Sequence, residues 1–555
     1  ITPLRDQELR TVDAETVQFF ADGRLLGARA GGAASPVGRT VNFIVDPTLE
    51  PPLVDGDYDL QVRVGEQETL IAQGLRIGAV RAQVLLAIDT SSSMLSPTAA
   101  SRLAATRRAA RNLLYGLDAS DRLGLLEFAG NDSEPDQDAV LRAPLLPLAD
   151  AHRTTVRNAL DNLASGPNRF TSIGDALSLA LQVFAASAEP RQRRHVVLLS
   201  DGSENEGLRG SDVDQDVIAA GVAVHSIALG PLADQPLLQR IATATGGEYR
   251  YVDVGTGADE AALGDAFIAA SEAIDRRARI VDDETITISA NRTETVSIQV
   301  PAGLVAGPRA RLFALVDRTR AGSGAIAQLR VFMPDGSELI DGVDGARIVR
   351  IGDDVIVDGR IVTGEWRIVL TGAAGIADEI VRLHAAVSND TGLLATASLG
   401  RPVEQPPSGS DVLVGDSAVV QIGLLLPAVQ KVREAAARME FPDGSQQLVA
   451  LNDDGERGDA VAEDGVWSGV YRRITRGAPT GFPDDASQAG ARGSYYARIA
   501  ATLDNGGGPQ VRVFAGHGWA TRESAAPPDG DLDLMPDRYE QNLREIFPDE
   551  HTGAF

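Results

Sequence analysis

The chain has 555 residues, more than one hydrophobic core usually organises, and this length predicts about three to five domains. Its formal net charge of −27 argues against nucleic acid or an anionic membrane as a partner, because both require a basic surface. The absence of cysteine excludes a disulfide framework and thiolate chemistry.

Residues 1–80 carry the pattern of a small β domain. The segments 17–21, 41–45 and 58–64 are rich in strand-forming residues and are separated by turn sequences. The last of them alternates apolar and polar residues with a period of two, which is typical of a half-buried antiparallel sheet. We therefore expect an immunoglobulin-like β-sandwich here.

Residues 81–278 have a different pattern of apolar residues. The segments 84–88, 123–128, 196–199 and 222–229 are almost continuously apolar, as expected for strands that are covered on both faces. Between them lie segments whose apolar residues recur at helical spacing. This alternation of strand and helix predicts a doubly wound, mostly parallel α/β sheet, the Rossmann-like arrangement.

Strand patterns return after this region. Residues 279–400 predict a β-sandwich that ends at a proline-rich break, and residues 411–520 predict an immunoglobulin-like β domain with an acidic loop. Within the second of these, the stretch 429–439 is rich in helix-forming residues and conflicts with the β pattern around it. The tail, 526–555, is expected to form an acidic loop followed by a short amphipathic helix.

Three short segments of the α/β region carry oxygen-bearing side chains: Asp89–Ser93, Phe170–Thr171 and Ser200–Gly202. The first and third directly follow predicted strands, and the second precedes a predicted helix. Ligands of open parallel sheets bind beyond the carboxyl ends of the strands, where these loops gather. We therefore expect the three segments to meet at one edge of the sheet.

The side chains of these segments suit a hard divalent cation. Mg²⁺ binds six oxygens and usually keeps several waters, so Asp89, Ser91, Ser93, Thr171 and Asp201 would suffice as its protein ligands. Because hydroxyl ligands are neutral, the ion would keep an open position for an Asp or Glu of another protein. Each segment alone is more typical of a turn or a helix cap. All three at the ends of the correct elements favour a metal site.

Residues 81–278 resemble a von Willebrand factor type A domain. The metal-ion-dependent adhesion site of that family is Asp-x-Ser-x-Ser followed later by a Thr and an Asp, and the matching residues are Asp89, Ser91, Ser93, Thr171 and Asp201. The resemblance implies divalent-cation-dependent protein binding, with Mg²⁺ or alternatively Ca²⁺ or Mn²⁺ as the ion.

A wider resemblance covers most of the remaining chain. The order of a type A domain, a sandwich containing Gly364-Glu-Trp-Arg-Ile and a unit containing residues 452–467 is similar to calcium-activated chloride channel regulators and their bacterial relatives. This resemblance implies that the stretch 429–439 is strand, against its propensity. Animal members carry a zinc-protease domain with His-Glu-x-x-His, and the six histidines here form no such motif. Self-cleavage is therefore not implied.

Two acidic segments are further candidates for calcium. In the first, Asp453, Asp454, Asp459 and Asp464 crowd one loop; their mutual repulsion would be relieved by Ca²⁺, and a solvated hairpin is an equally good interpretation.

The second acidic segment lies in the tail and resembles the calcium loops of thrombospondin type 3 repeats. Its acids have the spacing of such a loop, although the usual glycine is replaced by Leu534. The acids are Asp529, Asp531, Asp533, Asp537 and Glu540.

The sequence contains neither a phosphate-binding loop nor a serine-hydrolase motif, and we expect the chain not to be an enzyme. A phosphate-binding loop needs Gly-Lys-Ser/Thr, whereas the single lysine, Lys431, lies in Gln-Lys-Val. No Gly-x-Ser-x-Gly motif occurs. His195 and His225 lie inside apolar strands, which favours a structural role.

The sequence as a whole predicts an adhesion protein that binds a partner's acid through a cation. No apolar run is long enough to span a membrane. Because the chain begins at Ile1, we expect a leader to have been removed and the protein to be periplasmic, on the cell surface or secreted. The alternative function is a structural subunit of an extracellular filament or a scaffold that self-associates. A subunit that works with an ATPase is a third and less favoured interpretation.

Overall fold

The structure is a computed structural model. It describes residues 17–26, 29–30, 43–44, 56–64, 67–77, 81–95, 102–130, 138–165, 170–187, 192–204, 207–208, 210–230, 232–252, 259–275, 277–300, 311–318, 326–343, 346–351, 354–360, 362–388, 395–400, 412–413, 418–424, 431–440, 446–454, 466–471, 494–504 and 511–522.

The N-terminal region consists of strands. They are β1 (Val17–Ala21), β2 (Arg24–Leu25), β3 (Arg29–Ala30), β4 (Phe43–Ile44), β5 (Gly56–Val64) and β6 (Gln67–Ile77). Four of them form an antiparallel sheet in the order β2-β1-β5-β6, and β3 pairs with β4. The strands β1 and β5 occur at the segments 17–21 and 58–64, where the sequence predicts strands.

The central region alternates strands and helices. Its elements are β7 (Ala82–Asp89), a short 3₁₀ helix (Ser92–Leu95), α1 (Arg102–Gly116), β8 (Arg122–Phe128), β9 (Ala139–Pro147), α2 (Asp150–Asp161), α3 (Ile173–Ala185), β10 (Arg193–Ser200), α4 (Gly210–Ala219), β11 (Val222–Leu229), α5 (Gln235–Thr245), β12 (Tyr249–Val252) and α6 (Asp259–Asp275).

The six strands of this region form one sheet in the order β12-β11-β10-β7-β8-β9. Every pairing is parallel except that of the edge strand β9 with β8. All eight residues of β7 are buried, which explains its continuous apolar run. The helices α1, α2 and α6 contribute to the core on one face of the sheet, and α3, α4 and α5 contribute to the core on the other. The predicted doubly wound sheet is confirmed.

The remaining elements that the structure describes are strands. They are β13 (Arg277–Ile288), β14 (Thr293–Val300), β15 (Arg311–Arg318), β16 (Ile326–Phe332), β17 (Arg347–Ile351), β18 (Asp354–Arg360), β19 (Gly364–Gly372), β20 (Glu379–Ser388), β21 (Ala395–Gly400), β22 (Val412–Leu413), β23 (Ala418–Leu424), β24 (Lys431–Glu440), β25 (Gln446–Leu451), β26 (Val466–Tyr471), β27 (Ser494–Asp504) and β28 (Val511–Arg522).

A ten-stranded sheet dominates this part of the molecule. Its main path runs β17-β18-β15-β20-β13-β28-β27-β24-β25, and β22 pairs with β28. Two three-stranded sheets, β14-β19-β16 and β21-β23-β26, accompany it. The large sheet therefore takes strands from both sides of the proline-rich break, joined where β13 pairs with β28.

Strand β24 resolves the conflict noted in the sequence. Its segment has strong helix formers, yet it pairs antiparallel with β25 and β27 along most of its length. Ala437 and Met439 are buried in the apolar core of this sheet. Burial and ladder pairing outweigh a local propensity of only a few tenths of a kcal/mol per residue.

A buried charge network joins the α/β unit to the ten-stranded sheet. Arg279 of β13 contacts Asp265 of α6 at 2.9 Å, Glu272 of α6 at 2.7 Å and Asp282 of β13 at 2.6 Å. Arg498 of β27 reaches the same Asp282 at 3.4 Å. The two units therefore pack through neutralised charges as well as through apolar contacts.

Candidate functional site

Asp89 lies at the carboxyl end of β7, the strand between β10 and β8. Its side chain is fully buried. The backbone N–H of Ser91 donates to Oδ1 at 2.7 Å, and the hydroxyl of Ser200 donates to Oδ2 at 2.6 Å. One carboxylate oxygen is thus held by the loop after β7 and the other by the end of the neighbouring strand β10.

The loop after β7 brings two serines to the same place. The hydroxyl oxygens of Ser91 and Ser93 lie 2.9 Å apart. Ser93 donates to Oδ1 of Asp201 at 2.6 Å, and Ser91 lies 3.4 Å from that oxygen. Ser165 donates to the carbonyl oxygen of Ser91 at 2.6 Å, which fixes the loop from its other side.

Thr171 joins the cluster through the loop that precedes α3. The residue before it, Phe170, exchanges backbone hydrogen bonds of 2.7 and 3.0 Å with Gly130, just beyond β8. Thr171 is buried and faces Gly202 so closely that a Cβ at position 202 would lie 2.5 Å from its Oγ1. The same Cβ would lie 3.7 Å from the hydroxyl of Ser93. Glycine therefore leaves open the space between the threonine and the serine.

Comparison with known families identifies this part of the chain. Residues 83–262 match the family model of the von Willebrand factor type A domain. They form a von Willebrand factor type A domain. Domains of this family typically mediate metal-dependent protein interactions. Residues 417–478 match a second family model, the conditioned medium factor second Ig-like domain, so an Ig-like domain accompanies the type A domain.

Individual relatives are similar to parts of this chain. A UPF0353 protein of Mycolicibacterium paratuberculosis is 30% identical in an alignment of 207 residues that covers 32% of this chain and 58% of the relative. Calcium-activated chloride channel regulator 3A-1 of Mus musculus is 26% identical in an alignment of 320 residues that covers 56% of this chain and 32% of the relative. The chain therefore spans little more than half of the first relative's length and a third of the second's.

Among solved structures, a von Willebrand factor type A protein from Catenulispora acidiphila matches with a TM-score of 0.30. It is 16% identical, and the match covers 68% of each chain.

The carboxyl groups of Asp89 and Asp201 both have raised pKa values. Burial, together with the charge of Asp201, raises the pKa of Asp89 to about 7. Burial also raises the pKa of Asp201 above its ordinary value, against the hydrogen bonds from Ser93 and Arg102. Two buried carboxylates that disfavour each other's ionised form offer a cation a large electrostatic gain.

The donor set of the type A domain fits a hard divalent cation. The five predicted residues contribute carboxylate and hydroxyl oxygens, the ligands that Mg²⁺, Ca²⁺ and Mn²⁺ prefer. They converge from three loops of the sheet edge, and Gly202 keeps the space between two of the hydroxyls free of a side chain.

Arg102 is a charged neighbour of the site that the motif did not reveal. It is the first residue of α1, and its Nη1 lies 2.8 Å from Oδ2 of Asp201. Its side chain is 18% exposed and therefore mostly buried beside the site. The segment 96–101 separates it from the serine loop without any sequence signal, which is why sequence reasoning missed it.

In the described part of the chain, a second cluster of two aspartates and a histidine is compact enough for a metal site. Neighbouring arginines, however, already balance the charge of its carboxylates. Asp265, Asp282 and His384 offer ligand atoms within 4.8 Å of one another. Arg279 already bridges the two carboxylates, and Arg498 lies 3.8 Å from Asp265. These guanidinium groups neutralise the cluster, so we assign it a structural role.

The predicted calcium loops fall largely outside the described residues. Asp453 is half-buried and Asp454 is exposed after β25. The other predicted calcium ligands lie outside the described residues: Asp459, Asp464, Asp529, Asp531, Asp533, Asp537 and Glu540. The tail helix predicted after residue 525 also lies outside them, and both loops stay predictions.

The described helices include none that is long and apolar enough to cross a membrane.

Proposed function

We propose that the type A domain binds a divalent cation through Asp89, Ser91, Ser93, Thr171 and Asp201, and that this ion binds an Asp or Glu of a protein partner. The observation that carries the proposal is the convergence of two buried carboxylates with three hydroxyls at one edge of the sheet. Hydrogen bonds link Asp89 to Ser91, Ser91 to Ser93 and Ser93 to Asp201. Asp89 also accepts a hydrogen bond from Ser200, the residue before Asp201.

The charges of these groups support an acidic ligand. Two carboxylates balance a divalent cation, and Arg102 adds a positive charge beside Asp201. The loaded site would thus carry about one net positive charge in a protein whose formal charge is −27. Because three of its protein ligands would be neutral hydroxyls, a bound cation would keep an electrophilic position for a carboxylate.

We assign this binding activity to a periplasmic, surface or secreted setting, with Mg²⁺ as the first candidate ion. The setting rests on the β domains that accompany the type A domain and on the similarity to calcium-activated chloride channel regulators.

Affinity capture tests the proposal. The chain is immobilised in Mg²⁺ or in a chelator and exposed to surface proteins of its source cell, and retained proteins are quantified by mass spectrometry. We expect specific partners to be retained in Mg²⁺, to be lost in chelator and to be lost with Asp89→Ala. Partners that bind equally in chelator would contradict the proposal. Ordered self-assembly in chelator, seen by electron microscopy, would instead support the structural alternative.

A further inference from the structure

Three exposed leucines occupy the edge of the type A domain where the candidate site lies. Leu95 is 43% exposed, Leu208 is 45% exposed and Leu232 is 47% exposed. They lie in the loops that follow β7, β10 and β11, three neighbouring strands of the sheet. Single exposed leucines are common on protein surfaces. Three in the loops of neighbouring strands beside one polar site are a set that a single partner can reach, and we call them the leucine rim.

Leu95 is tied directly to the serine loop. It is the last residue of the 3₁₀ helix that begins at Ser92, and it follows Ser93 by two positions. The hydroxyl of Ser93 contacts Asp201, so the position of Leu95 is fixed relative to the carboxylates.

The other two leucines are tied to the threonine loop and the second aspartate. The N–H of Leu208 donates to Oδ2 of Asp175 at 2.9 Å, in the first turn of the helix that follows Thr171. The carbonyl oxygen of Leu232 accepts a hydrogen bond of 3.3 Å from Ser203, two residues after Asp201. All three leucines therefore belong to segments that also supply or border the site.

Charge limits what can cover the leucine rim. The loaded site attracts one carboxylate, with Arg102 2.8 Å from Asp201 as the additional cation. The formal charge of −27 on the whole chain repels a strongly acidic segment at long range. A single acid surrounded by apolar side chains satisfies both conditions and also buries the leucines.

We propose that the partner presents an Asp or Glu flanked by large apolar side chains, which pack against Leu95, Leu208 and Leu232. This inference rests on the proposed function, because it names the chemistry of the segment that the cation site binds. The rim sets which acidic segments bind, and the cation supplies the anchor common to all of them.

A peptide library provides the test. Displayed nonapeptides with Asp or Glu at the centre and random residues elsewhere are selected on the full chain in Mg²⁺. They are eluted first with chelator and then with acid, so that chelator-resistant peptides are also recovered. We expect apolar residues to be enriched beside the central acid. A rim variant with Leu95→Ser, Leu208→Ser and Leu232→Ser should bind the selected peptides on the order of 100-fold more weakly, since each truncation removes part of a leucine's burial.

A matched control keeps the test specific. The variant with Leu70→Ser, Leu146→Ser and Leu448→Ser changes leucines that are 63%, 43% and 71% exposed on β strands away from these loops. It should bind the peptides like the unaltered chain. Calorimetry should show that the rim variant still binds Mg²⁺, which separates loss of the rim from loss of the fold.

The outcomes distinguish the two proposals. Chelator-sensitive peptides with polar flanks, or equal binding by the rim variant, would overturn the inference and leave the cation-dependent function standing. Apolar peptides that need the leucines but resist chelator would support the rim and contradict the cation-dependent function. A library that yields no binder would count against both.

Discussion

The hydroxyl of Ser93 donates a hydrogen bond of 2.6 Å to Oδ1 of Asp201, although 108 positions separate the two residues in the chain. The other oxygen of the same carboxylate accepts from Arg102. Asp201 is thus held between a hydroxyl of the candidate cation site and a guanidinium group at its margin. These hydrogen bonds connect the loops after β7 and β10 through protein groups alone.

Asp89→Asn should abolish stabilisation by divalent cations. In the unaltered chain, Mg²⁺ at about one hundred times its Kd should raise the free energy of unfolding by about 2.7 kcal/mol through binding to the folded state alone. The variant should show no such shift. Its fold should survive in chelator, because burial already penalises the charged form of this side chain. Thermal unfolding with and without Mg²⁺ measures both effects.

Asp161→Asn is the matched control for this prediction. Asp161 is a surface acid whose side chain is 40% exposed, and it pairs with Arg111 outside the site. The control should respond to Mg²⁺ like the unaltered chain. A normal Mg²⁺ response by Asp89→Asn would remove Asp89 from the cation site.

Gly202→Ala should weaken cation binding with little effect on folding. The added Cβ would lie 2.5 Å from Oγ1 of Thr171, and a threonine can relieve that contact by rotating its side chain away. We expect cation affinity to fall about tenfold, roughly 1.4 kcal/mol. Calorimetric titration with Mg²⁺ gives the affinity, and urea unfolding gives the stability.

Gly210→Ala provides the comparison for this glycine. A Cβ there would come no closer than 3.3 Å to the side chain of Ile241, away from the site hydroxyls. Equal cation affinities for the two variants would show that the space beside Thr171 is unimportant.

Arg279→Met should destabilise the contact between the type A domain and the large sheet. The substitution leaves Asp265, Glu272 and Asp282 close together and without this cation. Removing one partner from a buried ionic group costs about 3–5 kcal/mol. Urea unfolding measures the loss.

Arg330→Met tests whether burial is the cause. Arg330 and Glu338 form a 2.6 Å pair whose side chains are 44% and 38% exposed. Solvent screens such a surface pair, so its loss should change the free energy of unfolding much less than the loss of Arg279 does. Similar losses for both arginine variants would show that the buried network has no special role in stability.

His225 should make acid conditions destabilising. Burial, helped by the charge of Arg193, lowers its pKa to about 4, whereas an unfolded histidine titrates near 6.5. Between these values the unfolded chain binds a proton that the folded chain does not, so stability is lost as pH falls from about 6.5 to about 4. The loss is on the order of 3 kcal/mol.

His225→Gln isolates this contribution from those of other titrating groups. The stability advantage of the unaltered chain over the variant should be larger near pH 7 than near pH 4.5. An advantage that does not change with pH would show that His225 does not remain neutral when folded.

Much of the fold could be predicted because its signals are local. The buried strand β7 and the helix α3 follow directly from apolar runs and helical spacing. The meeting of Asp89, Thr171 and Asp201 follows from the rule that loops gather at the carboxyl edge of a parallel sheet.

Other features depend on contacts that no local pattern records. Strand β24 contradicts its own helix propensity and is fixed by its neighbours in the sheet. Arg102 reaches Asp201 from a helix with no motif, and Arg498 reaches Asp265 and Asp282 only after two units of the chain pack together. Long-range packing decides these positions, so sequence reasoning on one chain could not place them.

The position of a bound cation is the most direct test of the account. Crystals grown with Mn²⁺ and measured for its anomalous scattering should show a peak within bonding distance of the hydroxyls of Ser91 and Ser93, between Asp89 and Asp201. A peak at that place would support the cation site. Ordered density for these side chains without a peak among them, at a Mn²⁺ concentration that stabilises the protein, would contradict it.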